Sequence, residues 1–272
     1  MDADFERRFG GLRRLYGVQG AQRLFDATAL VAGIGGVGSW AVEALARSGV
    51  GRLVLVDMDH IAESNVNRQI HALSPTLGQS KADAMRERIA LINPQCRVEV
   101  VDDFVTPDNW PALAASLGDT AGVIDACDQM AAKTAMAAWA RASVQPFIAV
   151  GAAGGKRLAH RVEVADLADV THDPLLAQLR YRLRKHHAAP RQGAFGVACV
   201  FSRETVAPPD PSCAIDAGGD GSLNCHGYGS VVSVTATFGL AAAGWLLDRF
   251  AAGPQKVGKK IEGLQKASKT TL

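Results

Sequence analysis

The sequence predicts an α/β fold: an open, mostly parallel sheet with helices on both faces, extended by antiparallel strands and a C-terminal apolar helix. Three observations predict it. Short runs rich in Val, Ile and Leu recur at 29–34, 52–57, 96–101, 122–126 and 146–150. They are continuous rather than alternating, as strands buried on both faces are. Helical patterns at 38–48, 81–92, 107–117 and 129–143 separate them. After Gly155 the rhythm changes, and Arg161-Val-Glu-Val-Ala alternates like a half-exposed antiparallel strand.

Taken in order, residues 5–25 read as a basic amphipathic helix with Phe5, Phe9, Leu12, Leu15 and Tyr16 as its apolar points. The first strand ends in a glycine turn that opens the helix at 38–48. The helix at 81–92 carries its own punctuation. Ser80 is placed to cap it with Asp83 three residues on, Ala82, Met85, Ile89 and Ile92 form one stripe, and Asn93-Pro94 stops it. A basic helix follows at about 173–187, then a Gly/Pro/Asp-rich loop from Pro208 to Gly221. Val231–Leu247 holds 17 residues without a charge, the short limit for a bilayer span. Ser233, Thr235, Thr237 and two glycines within it favour a core helix, so no integral membrane segment is expected.

With 272 residues, 48% hydrophobic and 21% charged, the chain has ample core for one large domain. A net charge of +2 is too small to attract nucleic acid over the whole surface, so such contact must come from local patches. The five cysteines (Cys96, Cys127, Cys199, Cys213, Cys225) include no C-x-x-C pair. They read as reduced thiols and offer no zinc knuckle. The acidic start Met1-Asp-Ala-Asp lacks the apolar run of a secretory signal, and a cytoplasmic location is expected.

The turn Gly33-Ile-Gly35-Gly36-Val-Gly38 fits G-x-G-x-x-G between a strand and a helix, and Asp57 closes the next strand 24 residues after Gly33. This is the pattern of a nucleotide seated on a helix N-terminus, with a carboxylate for the ribose hydroxyls. It does not separate NAD, FAD and ATP. The downstream cluster does: Asp59, Ser64, Asn65, Asn67, Arg68, Gln69 and Lys81 follow closely. A polyphosphate needs cationic side chains beyond the backbone donors that serve two phosphates. Lys81 at a helix start is electrostatically unfavourable, which argues for function rather than a solvated charge. Asp128 lies just past the strand 122–126, where it could hold the Mg²⁺ of bound ATP, cap the following helix, or both; Asp125 is a second metal candidate.

Further motifs carry a resemblance. Arg8-Phe-Gly-Gly-Leu-Arg-Arg14-Leu-Tyr-Gly17, Gly33–Gly38, Val56-Asp-Met-Asp59, Asn67-Arg-Gln-Ile-His71, Gly78-Gln-Ser-Lys81, Ile92-Asn-Pro94 and Asp125-Ala-Cys-Asp128 resemble the ThiF-type adenylating superfamily, relatives of ubiquitin-activating and molybdopterin-synthase-activating enzymes. Within it, Val101-Asp-Asp-Phe-Val-Thr-Pro-Asp-Asn109, Gly151-Ala-Ala-Gly-Gly155, Val200-Phe-Ser-Arg-Glu204 and Val234-Thr-Ala-Thr-Phe-Gly239 are similar to the tRNA threonylcarbamoyladenosine dehydratase (cyclase) family.

That resemblance implies a Rossmann-like core and ATP-dependent cyclisation of N6-threonylcarbamoyladenosine in a tRNA anticodon loop, through adenylation of the threonine carboxylate. The alternative is an adenylyltransferase acting on a ubiquitin-like sulfur-carrier C-terminus, although the paired C-x-x-C motifs usual there are missing. Asp57 would hold the ribose, Asn65, Arg68 and Lys81 the phosphates, and Asp128 the Mg²⁺. Arg8 or Arg14 would reach the partner subunit's ATP, so a homodimer is expected. Relatives often carry Asn where Gln129 stands. Cys225 reads either as an exposed thiol or as a small packed residue, and a sulfur-transfer protein is a possible partner. The chain then divides into an N-terminal arm (1–28), an ATP-binding core (29–155), a substrate-facing extension with its packing helix (156–250) and a basic tail (251–272). tRNA contact is expected from Arg180, Arg182, Arg184, Lys185, His186, His187 and Arg191, and from Lys256, Lys259, Lys260, Lys266 and Lys269 in the tail. No aromatic interleaving is read in these clusters.

Overall fold

The computed structural model describes residues 3–210 and 228–253. Cys213, Cys225 and the lysines of the tail lie outside the described residues. The elements in chain order are α1 (Ala3–Asp26), β1 (Thr28–Ala32), α2 (Gly38–Arg47), β2 (Arg52–Val56), α3 (Lys81–Ile92), β3 (Arg97–Val101), α4 (Trp110–Ala115), β4 (Ala121–Asp125), α5 (Met130–Ala142), β5 (Phe147–Val150), β6 (Val162–Asp166), α6 (Pro174–His186), β7 (Ala198–Ser202) and α7 (Val232–Ala252). One sheet runs β3-β2-β1-β4-β5-β7-β6, with every pair parallel except β6 against β7. Thr28–Ala32 pairs with Arg52–Val56 on one side and Ala121–Asp125 on the other, so β1 is the strand at which the order reverses.

β1, β2, β4 and β5 are covered on both faces, which is why they read as unbroken apolar runs; β3, expected to be as buried, is a half-exposed edge strand that carries Arg97 and Glu99. Alternate residues of one strand enter opposite cores: Ala29 and Val31 meet α2, α3 and α7, whereas Leu30 and Ala32 meet α4, α5 and α6. The uncharged stretch near the C-terminus is the core helix expected. Val234, Phe238, Ala242, Leu246 and Phe250 of α7 are buried against the sheet and α2. No helix among the described residues is long and apolar enough to cross a membrane.

Local signals act as the sequence suggests. The Ser80 hydroxyl accepts from the Asp83 amide at 3.4 Å, capping α3. Helix α1 breaks at Gly17, whose φ of 73° and ψ of 166° are non-helical, so the predicted single helix is two segments. Strand β7 was legible only as a motif; its five residues complete the sheet between β5 and β6.

Candidate active site

A cavity of about 400 Å³ opens at the carboxyl ends of β1, β2, β4 and β5, the reversal point where open parallel sheets bind ligands. One half is lined by Gly33, Gly35, Gly36, Asp57, Asp59, Arg68, Gln69, Lys81, Phe104 and Asp128, the other by Gly151–Gly154, Leu175, Val206, Tyr228 and Ser230. Gly33, Gly35, Gly36, Asp57, Asp59, Arg68 and Lys81 of the predicted nucleotide residues therefore line one cavity, and Gly38, Ser64 and Asn65 do not.

The turn itself is tightly determined. Gly33 has φ 85°, a left-handed conformation that disfavours a side chain. The Asp57 carboxylate accepts from the amides of Ile34 (2.6 Å) and Asp59 (2.8 Å). Asp57 thus fixes the glycine turn to β2, leaving only its remaining lone pairs for a ribose. Burial raises its pKa above the ordinary value, against Lys81 and these two amides, which lower it. Gly38 is the first residue of α2 and does not line the cavity; a Cβ there would collide with the Gly33 carbonyl.

Arg68 is held by the segment around it. Its guanidinium donates to the Ser64 carbonyl (2.6 Å) and the Asn67 side chain (3.0 Å), while Trp40 Nε1 donates to its carbonyl at 2.9 Å. A Cβ on Gly36 would lie 3.2 Å from Arg68 Cγ, so this glycine makes room for the arginine stem. Ser64 and Asn65, expected at the nucleotide, do not line the cavity. The Asn65 side-chain oxygen instead accepts from the Ala62 amide at 3.1 Å. These two residues shape the turn that presents Arg68. Lys81, buried at the start of α3, donates to Asp59 at 2.6 Å. Gln69 was quoted in the sequence cluster without a role; it is buried in the cavity wall, and its side-chain Oε1 has no partner among the described residues.

Asp128 is exposed at the cavity, and no hydrogen bond or ion pair engages its carboxylate among the described residues. It does not cap α5, whose N-cap is Gln129 without a side-chain bond. Asp125, the second metal candidate, is committed elsewhere. Its Oδ2 accepts from Lys133 at 2.8 Å with both side chains fully buried, and its Oδ1 accepts from the Cys127 amide. Lys133 also donates to the Val150 carbonyl at 3.0 Å, joining β4 and β5 under the cavity floor. Burial lowers the Lys133 pKa, but Asp125 opposes it and leaves the ammonium above its ordinary value.

Sequence reading missed a second buried ammonium. Lys156 donates to the carbonyls of Ser202 (2.8 Å) and His172 (3.3 Å), with Asp173 at 3.9 Å. Asp173 caps α6 through Leu176 and also accepts from the Ala152 amide at 2.9 Å. The far cavity wall thus hangs on a carboxylate whose pKa burial raises.

His71 closes the Asn67–His71 motif inside the protein. Both ring nitrogens lack partners among the described residues, and burial, with Lys81 and Arg88 nearby, lowers its pKa to about 4. The unfolded chain would take up this proton near the ordinary value of 6.5, so between those two values it binds more protons than the folded one. Stability should therefore be full above about pH 6.5 and fall on acidification towards pH 4, by about 3 kcal/mol for this group. Chemical denaturation of wild type and His71→Phe across that range checks it: the variant should lose this part of the acid slope.

The arginines of α1 separate. Arg8 donates to Asp4 and to the Leu91 and Ile92 carbonyls at the end of α3. Arg14 is exposed and makes no ion pair among the described residues.

Known proteins match this arrangement along nearly its whole length. The ThiF family model matches residues 8–258. The chain is 45% identical over 262 residues to the tRNA threonylcarbamoyladenosine dehydratase of Escherichia coli, covering 93% of this chain and 97% of that protein. It is 40% identical over 251 residues to the enzyme of that name from Haemophilus influenzae, covering 90% and 94%. The crystal structure of the E. coli enzyme, TcdA, in complex with ATP superimposes with a TM-score of 0.82 at 44% identity, covering 92% of this chain and 96% of that one. The chain belongs to the ThiF family and, within it, groups with the tRNA threonylcarbamoyladenosine dehydratases.

Proposed function

We propose that this protein catalyses the ATP-dependent dehydration of N6-threonylcarbamoyladenosine in tRNA to its cyclic form. The observation that carries this reading is the two-part cavity. A glycine turn, two cations and an unengaged carboxylate occupy one half, and the Gly151–Gly154 wall faces them across the switch point. The relatives bear this activity in their names, and one was solved with ATP.

ATP would seat its phosphates on the turn and the start of α2, where backbone donors and the helix dipole favour anions. Arg68 and Lys81 would take up the charge that develops as the threonine carboxylate attacks the α-phosphate and pyrophosphate leaves. Asp57 and Asp59 would face the ribose side, with Gln69 offering a further polar contact. The ureido nitrogen then attacks the acyl carbon, AMP departs with the former carboxylate oxygen, and the nitrogen loses its proton. The tRNA product is lighter by one water. Holding the two groups side by side supplies the rate, and no covalent enzyme intermediate is required.

Mg²⁺ fits the donor set. Such ions usually take one or two carboxylates and complete their shell with phosphate oxygens and water. Asp128 supplies one such carboxylate, and no cluster of three or more His, Cys, Asp or Glu ligands forms among the described residues. Bound there, Mg²⁺ would neutralise phosphate charge. Asp128→Asn should raise the Mg²⁺ concentration for half-maximal activity by about tenfold or more, the scale of losing a metal-affinity determinant. Metal titration of the cyclisation rate checks this, and an unchanged midpoint would remove Asp128 from the metal site.

The protein is proposed to work as a homodimer in the cytoplasm, with Arg14 rather than the engaged Arg8 crossing to the partner subunit's ATP. Mass spectrometry of modified tRNA incubated with protein, ATP and Mg²⁺ tests the whole reading. Loss of one water supports it; intact substrate alongside adenylation of a sulfur-carrier C-terminus overturns it.

A further inference from the structure

Helix α6 begins at the cavity and leads away from it. Pro174 and Leu175, its first two residues, line the cavity. Tyr181 lies about 10 Å farther along the axis at about 1.5 Å per residue. Seven residues are close to two full turns, so Tyr181 shares the helix stripe of Pro174. The basic reading of this helix overlooked that aromatic residue, which stands between Arg180 and Arg182. Its side chain does not enter the core: 60% of the residue is exposed.

The cations around it have different duties. Arg180 donates to the Leu167 and Val170 carbonyls. Arg184 donates to the Pro190 and Arg191 carbonyls and lies over the Phe195 ring at 5.1 Å. These two anchor α6 and the turn after it. Lys185 is exposed, its ammonium 5.7 Å from the centre of the Tyr181 ring. His186, His187 and Arg191 are exposed beyond it, and no acid occurs from Pro174 to Arg191. An exposed aromatic ring on an acid-free cationic stripe is the composition that single-stranded nucleic acid uses, with phosphates along the cations and a base on the ring.

We infer that Tyr181 is a stacking platform for an unpaired base of the same RNA loop whose modified adenosine enters the cavity. The inference rests on the tRNA reading above and adds a position to it. At about 3.4 Å per stacked nucleotide, the distance from Pro174 to Tyr181 spans about three nucleotides. The contacted base is therefore a near neighbour of the modified one, within the loop and not in the stem. Stacking tolerates any base, so Tyr181 contributes affinity and register and leaves sequence choice to other contacts.

The test compares wild type, Tyr181→Ala and Tyr181→Trp. Alanine at this exposed helical position does not threaten the fold. Tyr181→Ala should raise KM for modified tRNA about five- to a hundredfold, with kcat and ATP binding within about twofold; Tyr181→Trp should stay near wild type. A binding arm uses synthetic hairpin RNAs carrying the anticodon-loop sequence, each with one loop nucleotide made abasic. At one position near the modified adenosine, the abasic change should weaken wild type and leave Tyr181→Ala no weaker than before. An unchanged KM, or a loss spread equally over every abasic RNA, overturns the inference. If wild type binds the hairpins with this position dependence but removes no water from tRNA, the catalytic reading fails and the stacking contact stands.

Discussion

Lys81→Met should slow cyclisation by about 10²–10³-fold while the protein stays folded. The lysine is buried at the start of α3, in the wall that also holds Arg68 and the glycine turn. A cation in that place costs helix stability, and its direct ion-pair partner is the half-exposed Asp59 at 2.6 Å. When a triphosphate enters, the same ammonium faces the negative charge that develops at the phosphates. Losing one such fixed donor typically costs this much in rate. Methionine keeps the volume, and Asp59 is exposed enough to be hydrated alone, so the thermal midpoint should move little. Single-turnover kinetics and a melting curve on the same sample check both halves. Arg68→Ala should lose activity on a similar scale, since the guanidinium is held by Ser64 and Asn67 before any ligand arrives. Full activity in either variant would remove these cations from the phosphate site.

The second large effect falls on stability. Lys133→Met should destabilise the fold by about 3–5 kcal/mol, because it strands Asp125 as a fully buried carboxylate without its cation. For a chain of this size, that lowers the melting temperature by about 6–20 °C. The double variant Asp125→Asn, Lys133→Met should recover much of the loss, since a neutral pair of similar shape no longer carries a desolvated charge. Calorimetry on the three proteins decides. Equal destabilisation of the single and double variants would mean that the ammonium's bond to the Val150 carbonyl, and not the ion pair, accounts for the loss.

These two lysines also show what the sequence concealed. Lys81 was legible because a cation at a helix start conflicts with the local field, and the conflict asks for an explanation. Lys133 and Lys156 were not, because a lone lysine reads as surface until tertiary structure closes over it; both are buried. β1, β2, β4 and β5 were legible as unbroken apolar runs, β3 as a Val-rich run broken by Arg97 and Glu99, and α3 by its Ser80 cap. β7, as short as the others, entered the sequence reading only as part of the Val200–Glu204 motif. Ser64 and Asn65 lie in the segment that the polar cluster marked, beside the cavity lining and not in it. Polar residues in a cluster can bind a nucleotide or hold the residue that does, and spacing alone does not distinguish the two. Tyr181 was passed over because tyrosine in an amphipathic helix usually faces inward.

The continuous sheet beneath the cavity has a mechanical consequence. The glycine turn hangs on β1, Asp128 follows β4, and the Gly151–Gly154 wall follows β5, three neighbouring strands tied rung by rung through their backbones. The strand pairing runs unbroken beneath the turn, Asp128 and the Gly151–Gly154 wall, so the cavity floor holds the spacing between these three parts. A floor built in this way sets the gap in advance. A guest that reacts there must fit a spacing that the strand pairing has already set.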